Sequence, residues 1–291
     1  MAKLLLGKEV AASLSEKLQL RIAALQNKGV VPTLAIIRVG ENAGDLSYEK
    51  GAVTRAEALG IAIVKFVLPA DASAEELLRT IDRVNEDASV HGVLLFRPLP
   101  KHLKERESEI CNRLHPAKDV DGMTDLSAAG VYTGQNLGFP PCTAAACMEI
   151  LDHYGMNPAG KKAVVLGRSL VIGRPVSMML LHRNATVTTI HTKTQDPEAH
   201  IADADILICA AGVKNRVTGA MVRPGQVILD VSMNWDPEKI TAKGKGGMVG
   251  DCSFQEVEAI VEAITPVPGG VGAVTNTVLM KHVVEAAENM V

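Results

Sequence analysis

Short apolar segments with the periodicity of β-strands alternate with longer segments with the periodicity of helices along most of this chain. Such alternation favours a parallel sheet, because two parallel strands need a crossover long enough to hold a helix. Aromatic residues make up only 3% of the 291 residues, so small aliphatic side chains must fill the interior. Such an interior suits strands that are covered by helices on both faces. The pattern therefore predicts an α/β fold.

The alternation occurs in two blocks. The predicted strands are 33–39, 61–68 and 92–95 in the first block, and 162–166, 186–190, 206–209 and 227–231 in the second. A loop-rich stretch that ends in the Gly138-Phe139-Pro140-Pro141 cluster separates the blocks. We therefore expect two α/β domains, 1–139 and 140–274, followed by a final helix in 275–291. Thr143 is expected to cap the first helix of the second domain.

Composition excludes several classes of function. A net charge of -3 gives no general attraction to nucleic acid or to anionic lipid. The apolar run at the N-terminus is too short for a signal peptide, and no window is long enough to span a membrane, so we expect a cytoplasmic protein. The histidines lack metal-ligand spacing, and we expect no metal site. The cysteines form no CxxC pair and read as reduced, apolar residues. They are Cys111, Cys142, Cys147, Cys209 and Cys252.

A glycine-rich turn follows the first strand of the second block. It reads Gly167-Arg168-Ser169-Leu170-Val171-Ile172-Gly173, so its spacing is Gly-x-Ser-x-x-x-Gly rather than Gly-x-Gly-x-x-Gly. A helix that begins after such a turn offers unpaired N–H groups to a pyrophosphate. The motif alone is a weak signal, because glycine also occurs in strand-to-helix turns that bind nothing.

The end of the next strand bears on the choice of nucleotide. An NAD site usually places an acidic residue there, on the ribose 2′-hydroxyl. This chain has His191-Thr192-Lys193 instead. Arg168, Thr192 and Lys193 are suited to a 2′-phosphate, which favours NADP, with NAD as the alternative. Lys193 is equally well explained as a solvated loop charge.

Several motifs together resemble one known family. The most specific is Thr265-Pro266-Val267-Pro268-Gly269-Gly270-Val271-Gly272. The others are Val39-Gly40-Glu41-Asn42 with Tyr48, Lys118-Asp119-Val120-Asp121-Gly122, Pro141-Cys142-Thr143, Gly167-Arg168-Ser169 with Gly173-Arg174-Pro175, and Val249-Gly250-Asp251. In this order they resemble the bifunctional methylenetetrahydrofolate dehydrogenase/methenyltetrahydrofolate cyclohydrolase family along nearly the whole chain.

The resemblance implies a fold, a substrate and an assembly. It implies an N-terminal α/β domain to which the final helix returns, a Rossmann-like cofactor domain, a tetrahydrofolate substrate and a homodimer. Asp121 matches the carboxylate that binds the pterin edge, Tyr48 matches the aromatic residue beside the folate, and Pro268, Gly269 and Gly270 match a loop that closes on it. The residues expected near the dinucleotide are Gly167, Arg168, Ser169, Gly173, Thr192, Met233 and Thr275. Without a ligand, Asp121 would be a turn cap and Tyr48 an ordinary half-buried tyrosine.

The sequence departs from the family at two positions. The family has a lysine four residues after the tyrosine, where this chain has Ala52, and a glutamine where this chain has Phe96. By resemblance, that lysine and glutamine handle protons. Lys50 falls on another helix face, and Arg97 is a poor proton shuttle because its guanidinium stays charged.

The loss of both residues predicts a dehydrogenase of one-carbon folate metabolism with weak or absent cyclohydrolase activity. Two alternatives remain open. One is the ordinary bifunctional activity, with Arg97 or Arg55 replacing the lysine. The other is a regulatory folate or nucleotide binder without catalysis, although such a protein would not need two ligand sites.

Overall fold

The computed structural model describes residues 1–241 and 244–291. The strands, in chain order, are β1 (Lys3–Leu4), β2 (Thr33–Val39), β3 (Ala62–Leu68), β4 (Gly92–Leu95), β5 (Lys162–Leu166), β6 (Thr186–Ile190), β7 (Ile206–Cys209), β8 (Val227–Asp230), β9 (Asn234–Thr241), β10 (Gly244–Val249) and β11 (Ala263–Ile264). The α-helices are α1 (Gly7–Asn27), α2 (Ala43–Leu59), α3 (Ala74–Glu86), α4 (Glu107–Arg113), α5 (Asp125–Thr133), α6 (Cys142–His153), α7 (Gly173–His182), α8 (Pro197–Asp203), α9 (Phe254–Glu258) and α10 (Gly272–Asn289).

The chain divides into two compact units. The three-strand unit comprises Ser13–Cys142 and Asn276–Val291, and the six-strand unit comprises Met1–Ala12 and Thr143–Thr275. The expected domains differ from these units at the N-terminus, because β1 pairs with β11 and so joins the first residues to the six-strand unit. Most of the final helix falls in the three-strand unit, as the resemblance implies.

A parallel sheet in the order β3-β2-β4 forms the centre of the three-strand unit. The central strand β2 is buried at every residue, whereas the edge strand β3 is partly exposed. Burial on both faces explains the apolar run of four residues, 34–37, at the centre of β2. Ser73 is the N-cap of helix α3, where Ser73 and Glu76 form a reciprocal capping box. The helix buries Leu77, Ile81 and Val84 in the core of this unit.

The six-strand unit has a parallel sheet in the order β1-β11-β8-β7-β5-β6. From β5 the chain crosses to β6 on one side, and from β6 it returns to β7 on the other side of β5. The order of the strands therefore reverses between β5 and β7. In doubly wound sheets the loops that leave the carboxyl ends of such a pair of strands flank the ligand crevice.

Some boundaries differ from the sequence predictions. Helix α6 begins at Cys142, so Thr143 lies inside it and is not the N-cap. The final helix begins at Gly272 rather than 275. The antiparallel pair β9–β10 was not predicted. Among the described residues, no helix is both long enough and apolar enough to cross a membrane.

Candidate functional site

The turn after β5 requires glycine. Gly167 has a φ of 118°, and a Cβ atom on it would overlap the carbonyl oxygen of Ala210 in the turn after β7. The two loops at the point where the strand order reverses therefore touch through their backbones. Their contact leaves the carboxyl edge of the sheet free of side chains at this place, as the close approach of a dinucleotide requires.

Ser169 and Gly173 shape the start of helix α7. The Oγ of Ser169 accepts hydrogen bonds from the N–H groups of Ile172 (3.1 Å) and Gly173 (3.4 Å). A side chain on Gly173 would overlap the carbonyl of Gly167. Both predicted residues thus hold the turn in its compact form. Arg174 also fixes it, since its Nε donates to the carbonyl of Arg168 at 3.2 Å.

The predicted contacts to a 2′-phosphate lie on two adjacent turns. Strands β5 and β6 pair in register, with Leu166 opposite Ile190, so the segments that follow leave the sheet side by side. Arg168, Thr192 and Lys193 are all exposed there. Two cationic side chains and a hydroxyl suit an anionic phosphate, and they fit NADP better than the ribose hydroxyl of NAD.

Asp251 organises this edge of the sheet, a role that the sequence did not reveal. Its carboxylate accepts hydrogen bonds from the N–H groups of Ala211 (2.7 Å), Gly212 (3.2 Å) and Val213 (2.8 Å) and from the hydroxyl of Ser232 (2.8 Å). It thereby fixes the turn after β7. A signal existed in the Val249-Gly250-Asp251 motif, but the three N–H groups that Asp251 accepts from lie 38–40 residues away in sequence, and only the fold identifies them.

Asp230 holds the backbone at Asp251 and Cys252 in place. Its carboxylate accepts from the N–H groups of Asp251 and Cys252, both at 2.9 Å. Burial raises the pKa of Asp230 to about 6, although those two N–H groups oppose the rise. Gly250 is required beside it, because a Cβ atom there would overlap the carboxylate.

The loop from Thr265 to Gly272 borders a cavity of about 270 Å³ in the six-strand unit. Its lining includes Met233, Pro268, Gly269 and Gly270, so the structure brings these four predicted residues together. Gly269 has a φ of 107°, which favours glycine. Thr275 lies in the first turn of α10, where its hydroxyl donates to the carbonyl of Val271 at 3.3 Å.

In the three-strand unit, Lys118 and Asp119 fix the loop that carries Asp121. The buried Nζ of Lys118 donates to the carbonyls of Val84 (2.9 Å), Asn85 (2.9 Å) and Asp87 (2.7 Å) at the end of α3. The carboxylate of Asp119 is fully buried. It accepts from the N–H groups of Met123 and Thr124 and from the hydroxyl of Ser127, at 2.9, 2.8 and 2.6 Å.

Asp121 differs from Asp119 because the backbone leaves its oxygens free. Among the described residues no backbone N–H donates to it, and the nearby thiol of Cys142 donates to the carbonyl of Val120 at 3.2 Å. Burial raises the pKa of Asp121 to about 6, against the lowering effect of the Arg97 charge. The turn-cap alternative therefore describes Asp119, and Asp121 keeps acceptor capacity for a ligand.

Tyr48 lies close to this carboxylate. Burial and the charge of Asp121 raise the pKa of Tyr48, so the phenol stays neutral at physiological pH. Its ring packs edge-on against Phe96, with a centroid distance of 6.0 Å and an interplanar angle of 85°. The structure thus brings together the two residues that were predicted to bind the folate.

The two substituted positions are both buried. Ala52 has no exposed surface and Phe96 has 7%. Neither side chain can carry a proton. Lys50 is exposed, and Arg55 donates to the hydroxyl of Ser15 at 3.5 Å. The charge of Arg97 lowers the pKa of Asp121, whereas burial and the charge of Asp119 raise it.

Models of two protein-domain families match the chain. Residues 5–121 match the catalytic domain of tetrahydrofolate dehydrogenase/cyclohydrolase, and residues 141–291 match its NAD(P)-binding domain. Together the two models cover most of the sequence, and residues 122–140 between them fall in the stretch that links the two predicted blocks.

Similar proteins extend over the whole chain. "Bifunctional protein FolD" of Carboxydothermus hydrogenoformans is 46% identical and the match covers 99% of this chain and 98% of that protein. FolD of Clostridioides difficile is 44% identical, and the match covers 97% of this chain and 95% of that protein. The crystal structure of FolD from Campylobacter jejuni, described as a methylenetetrahydrofolate dehydrogenase/cyclohydrolase, superposes with a TM-score of 0.93 at 36% identity, with complete coverage of both chains. The Trypanosoma brucei enzyme, solved with NADP and an inhibitor, superposes with a TM-score of 0.91 at 31% identity. The match covers 99% of this chain and 98% of that one.

Proposed function

Because the chain belongs to the tetrahydrofolate dehydrogenase/cyclohydrolase family, we propose that it oxidises 5,10-methylenetetrahydrofolate to 5,10-methenyltetrahydrofolate with NADP and has weak or absent cyclohydrolase activity. The observation that carries the second part is the apolar pair at the two substituted positions. Ala52 is fully buried, and the Phe96 ring lies against Tyr48. No titratable side chain occupies either position.

The two reactions depend on such side chains unequally. Loss of hydride from the methylene carbon leaves a cation that the two flanking nitrogens share, so this step needs alignment and no proton transfer. Hydrolysis of the methenyl bridge needs a proton to leave the attacking water and a proton to reach a ring nitrogen. General acid–base catalysis contributes about 10²–10⁴-fold to such steps. The substitutions should therefore spare the first reaction and slow the second.

The folate is proposed to bind Asp121 and Tyr48. The free oxygens of Asp121 suit the adjacent amino and N–H donors of the pterin, which one carboxylate can accept together. Lys118 and Asp119 hold the loop so that the carboxylate is positioned before the substrate arrives. Pro268, Gly269 and Gly270, which line a cavity, are proposed to contact the folate. The two glycines have no side chains, so a ligand can approach the backbone closely.

NADP is proposed to bind the loops that follow β5, β6 and β7. When bound, it supplies the nicotinamide ring that takes the hydride. Gly167, Ser169 and Gly173 give the pyrophosphate a compact turn, and Arg168 and Thr192 face the 2′-phosphate. Met233 and Thr275 complete the proposed set. The NAD(P)-binding domain model and the NADP-bound relative from Trypanosoma brucei support this assignment.

Full bifunctionality is the second candidate. The similar proteins from Carboxydothermus and Clostridioides carry the name bifunctional, and Asp121, with a pKa of about 6, can exchange a proton near neutral pH. The same carboxylate is committed to the pterin in our proposal, however, and a carboxylate that accepts two hydrogen bonds is a poor mobile base. A homodimer and a cytoplasmic location also remain proposals; light scattering on the purified protein tests the dimer.

The deciding experiment compares the two activities in one preparation. Nucleotide reduction is followed with methylenetetrahydrofolate, and loss of methenyltetrahydrofolate is followed without nucleotide. We expect the first activity and little of the second. The double variant Ala52→Lys/Phe96→Gln serves as the matched control and should gain about 10²-fold in hydrolysis. Hydrolysis by the unaltered protein at a rate like that of dehydrogenation would contradict the proposal.

A further inference from the structure

Arg97 occupies an unusual position beside the proposed folate site. It is the second residue after β4 and follows Phe96, whose N–H donates to the carbonyl of Ile37 in β2 at 3.0 Å. The side chain is only partly exposed, and its Nε is fully buried. Among the described residues, no acceptor lies within hydrogen-bonding distance of that Nε–H.

A buried donor on a charged group is costly to leave unpaired. The loss exceeds that of a neutral N–H, which is itself about 1–3 kcal/mol. Acceptors are present in the region, since burial raises the pKa values of Asp121 and Cys111 and the charge of Arg97 opposes that rise in each. No ion pair joins Arg97 to Asp121 among the described residues. The guanidinium is therefore held near the carboxylate with donor capacity still unused.

The guanidinium of Arg97 offers hydrogen-bond donors, and the carboxylate of Asp121 offers acceptors beside them. A ligand that matches both groups must carry an acceptor next to donors. The amide edge of a pterin carries, in sequence, the C4 carbonyl oxygen, the N3–H and the 2-amino group. One carboxylate covers the two donors, which leaves the C4 oxygen for a guanidinium N–H.

The geometry points to Arg97 as a specificity-determining residue that donates a hydrogen bond to the C4 oxygen of the pterin while Asp121 accepts from N3–H and the 2-amino group. This inference rests on the proposed function, since it assumes that a reduced folate binds at Asp121. The nearby negative charge of Asp121 disfavours the glutamyl carboxylates of the folate as partners of Arg97, because an anionic group would be repelled there.

The test uses two reduced folate analogues that differ only at C4, one with an oxo group and one with a thioxo group. Sulfur is a much weaker hydrogen-bond acceptor than oxygen, and the thioxo analogue keeps the N3–H that Asp121 accepts. Their inhibition constants are compared in three proteins: the unaltered chain, Arg97→Leu, and the control Arg113→Leu. Arg113 belongs to the same unit and pairs with Asp82 on the surface.

We expect the unaltered protein and Arg113→Leu to prefer the oxo analogue by about 10–100-fold, as befits one hydrogen bond from a charged donor. In Arg97→Leu the preference should fall to within about threefold, while the KM for NADP stays unchanged, which also verifies that the variant is folded. An undiminished preference in Arg97→Leu would overturn the inference.

Calorimetric binding of both analogues separates this inference from the proposed function. If the unaltered protein reduces no nucleotide, the proposed function fails. If nucleotide is reduced, and calorimetry shows the same C4 preference with and without Arg97, the assignment of Arg97 alone fails.

Discussion

Each unit contains a pair of neighbouring aspartates in its site region, and the two pairs differ in one respect. In the six-strand unit both carboxylates are occupied, since Asp251 holds the turn after β7 and Asp230 accepts two backbone N–H groups. In the three-strand unit Asp119 is occupied in the same way, whereas Asp121 accepts no backbone N–H. Asp121 and Asp230 have similar pKa values near 6.

The comparison shows that a raised pKa does not by itself mark a ligand site. Burial produces the shift in both Asp121 and Asp230. What distinguishes Asp121 is acceptor capacity that the protein leaves unused. Variants of Asp119, Asp121 and Asp251 therefore test this distinction.

The largest effect is expected from Asp119→Ala. The change leaves two N–H groups and the Ser127 hydroxyl without their acceptor in a buried place. We expect the free energy of unfolding to fall by about 3–5 kcal/mol in urea titrations. Asp125→Ala, which removes an exposed acceptor of the Asn112 amide, is the control and should cost less than about 1 kcal/mol. Equal losses would show that Asp119 is not a structural carboxylate.

Asp121→Ala should act on catalysis and spare stability. Loss of two charge-assisted hydrogen bonds to the pterin should reduce kcat/KM for the folate by about 10²–10⁴-fold. The KM for NADP should stay unchanged. The free energy of unfolding should stay unchanged or rise, because a partly buried carboxylate without backbone donors is removed. A loss of stability like that of Asp119→Ala would break the comparison.

Ionisation of Asp121 is expected to change activity and stability in opposite directions as the pH rises. Only ionised Asp121 can accept both pterin donors, so kcat/KM for the folate should fall about tenfold per pH unit below about 6. Since the folded pKa lies above the ordinary value of 3.8, the stabilising contribution of this group is fully present below that value and is lost as the pH rises through about 6. Asp230 titrates in the same direction. Rate profiles and urea titrations from pH 5 to 8 measure both, and activity that is flat across this range would contradict the role of Asp121.

The smallest effect concerns nucleotide choice. If the aspartates of the six-strand unit serve only the protein, discrimination must come from exposed cations. Arg168→Ala should then raise the KM for NADP about tenfold and leave that for NAD within about twofold. Asp251→Asn should raise both KM values alike, because it loosens the turn after β7 without touching the 2′-phosphate. A larger change in preference from Asp251→Asn than from Arg168→Ala would refute this division.

Sequence reasoning predicted the parallel α/β architecture because buried strands such as β7 are short continuous apolar runs. It missed the β9–β10 pair, whose polar and glycine-rich residues lack alternation and whose register is irregular between Lys245 and Gly247. It also placed the N-terminus in the first domain, since nothing local shows that β1 pairs with β11, more than 250 residues away.

Within the site, the motifs located Asp121 and Gly167 but could not rank the neighbouring carboxylates. Asp119 and Asp121 stand two residues apart in one loop and are chemically identical. Only the three-dimensional position of Met123, Thr124 and Ser127 reveals that the first is fully occupied. The partners of Asp251 are even less accessible to sequence patterns, since they are about 40 residues away.

The hydrogen bonds from Lys118 to the last carbonyls of α3 require that α3 ends at a fixed place and in a fixed direction. Each residue added to a helix turns its end by about 100° and moves it by about 1.5 Å, so one insertion in α3 would carry those carbonyls away from the ammonium group. Natural variants of this chain should therefore tolerate substitutions on the exposed face of α3 far better than insertions or deletions of single residues within it.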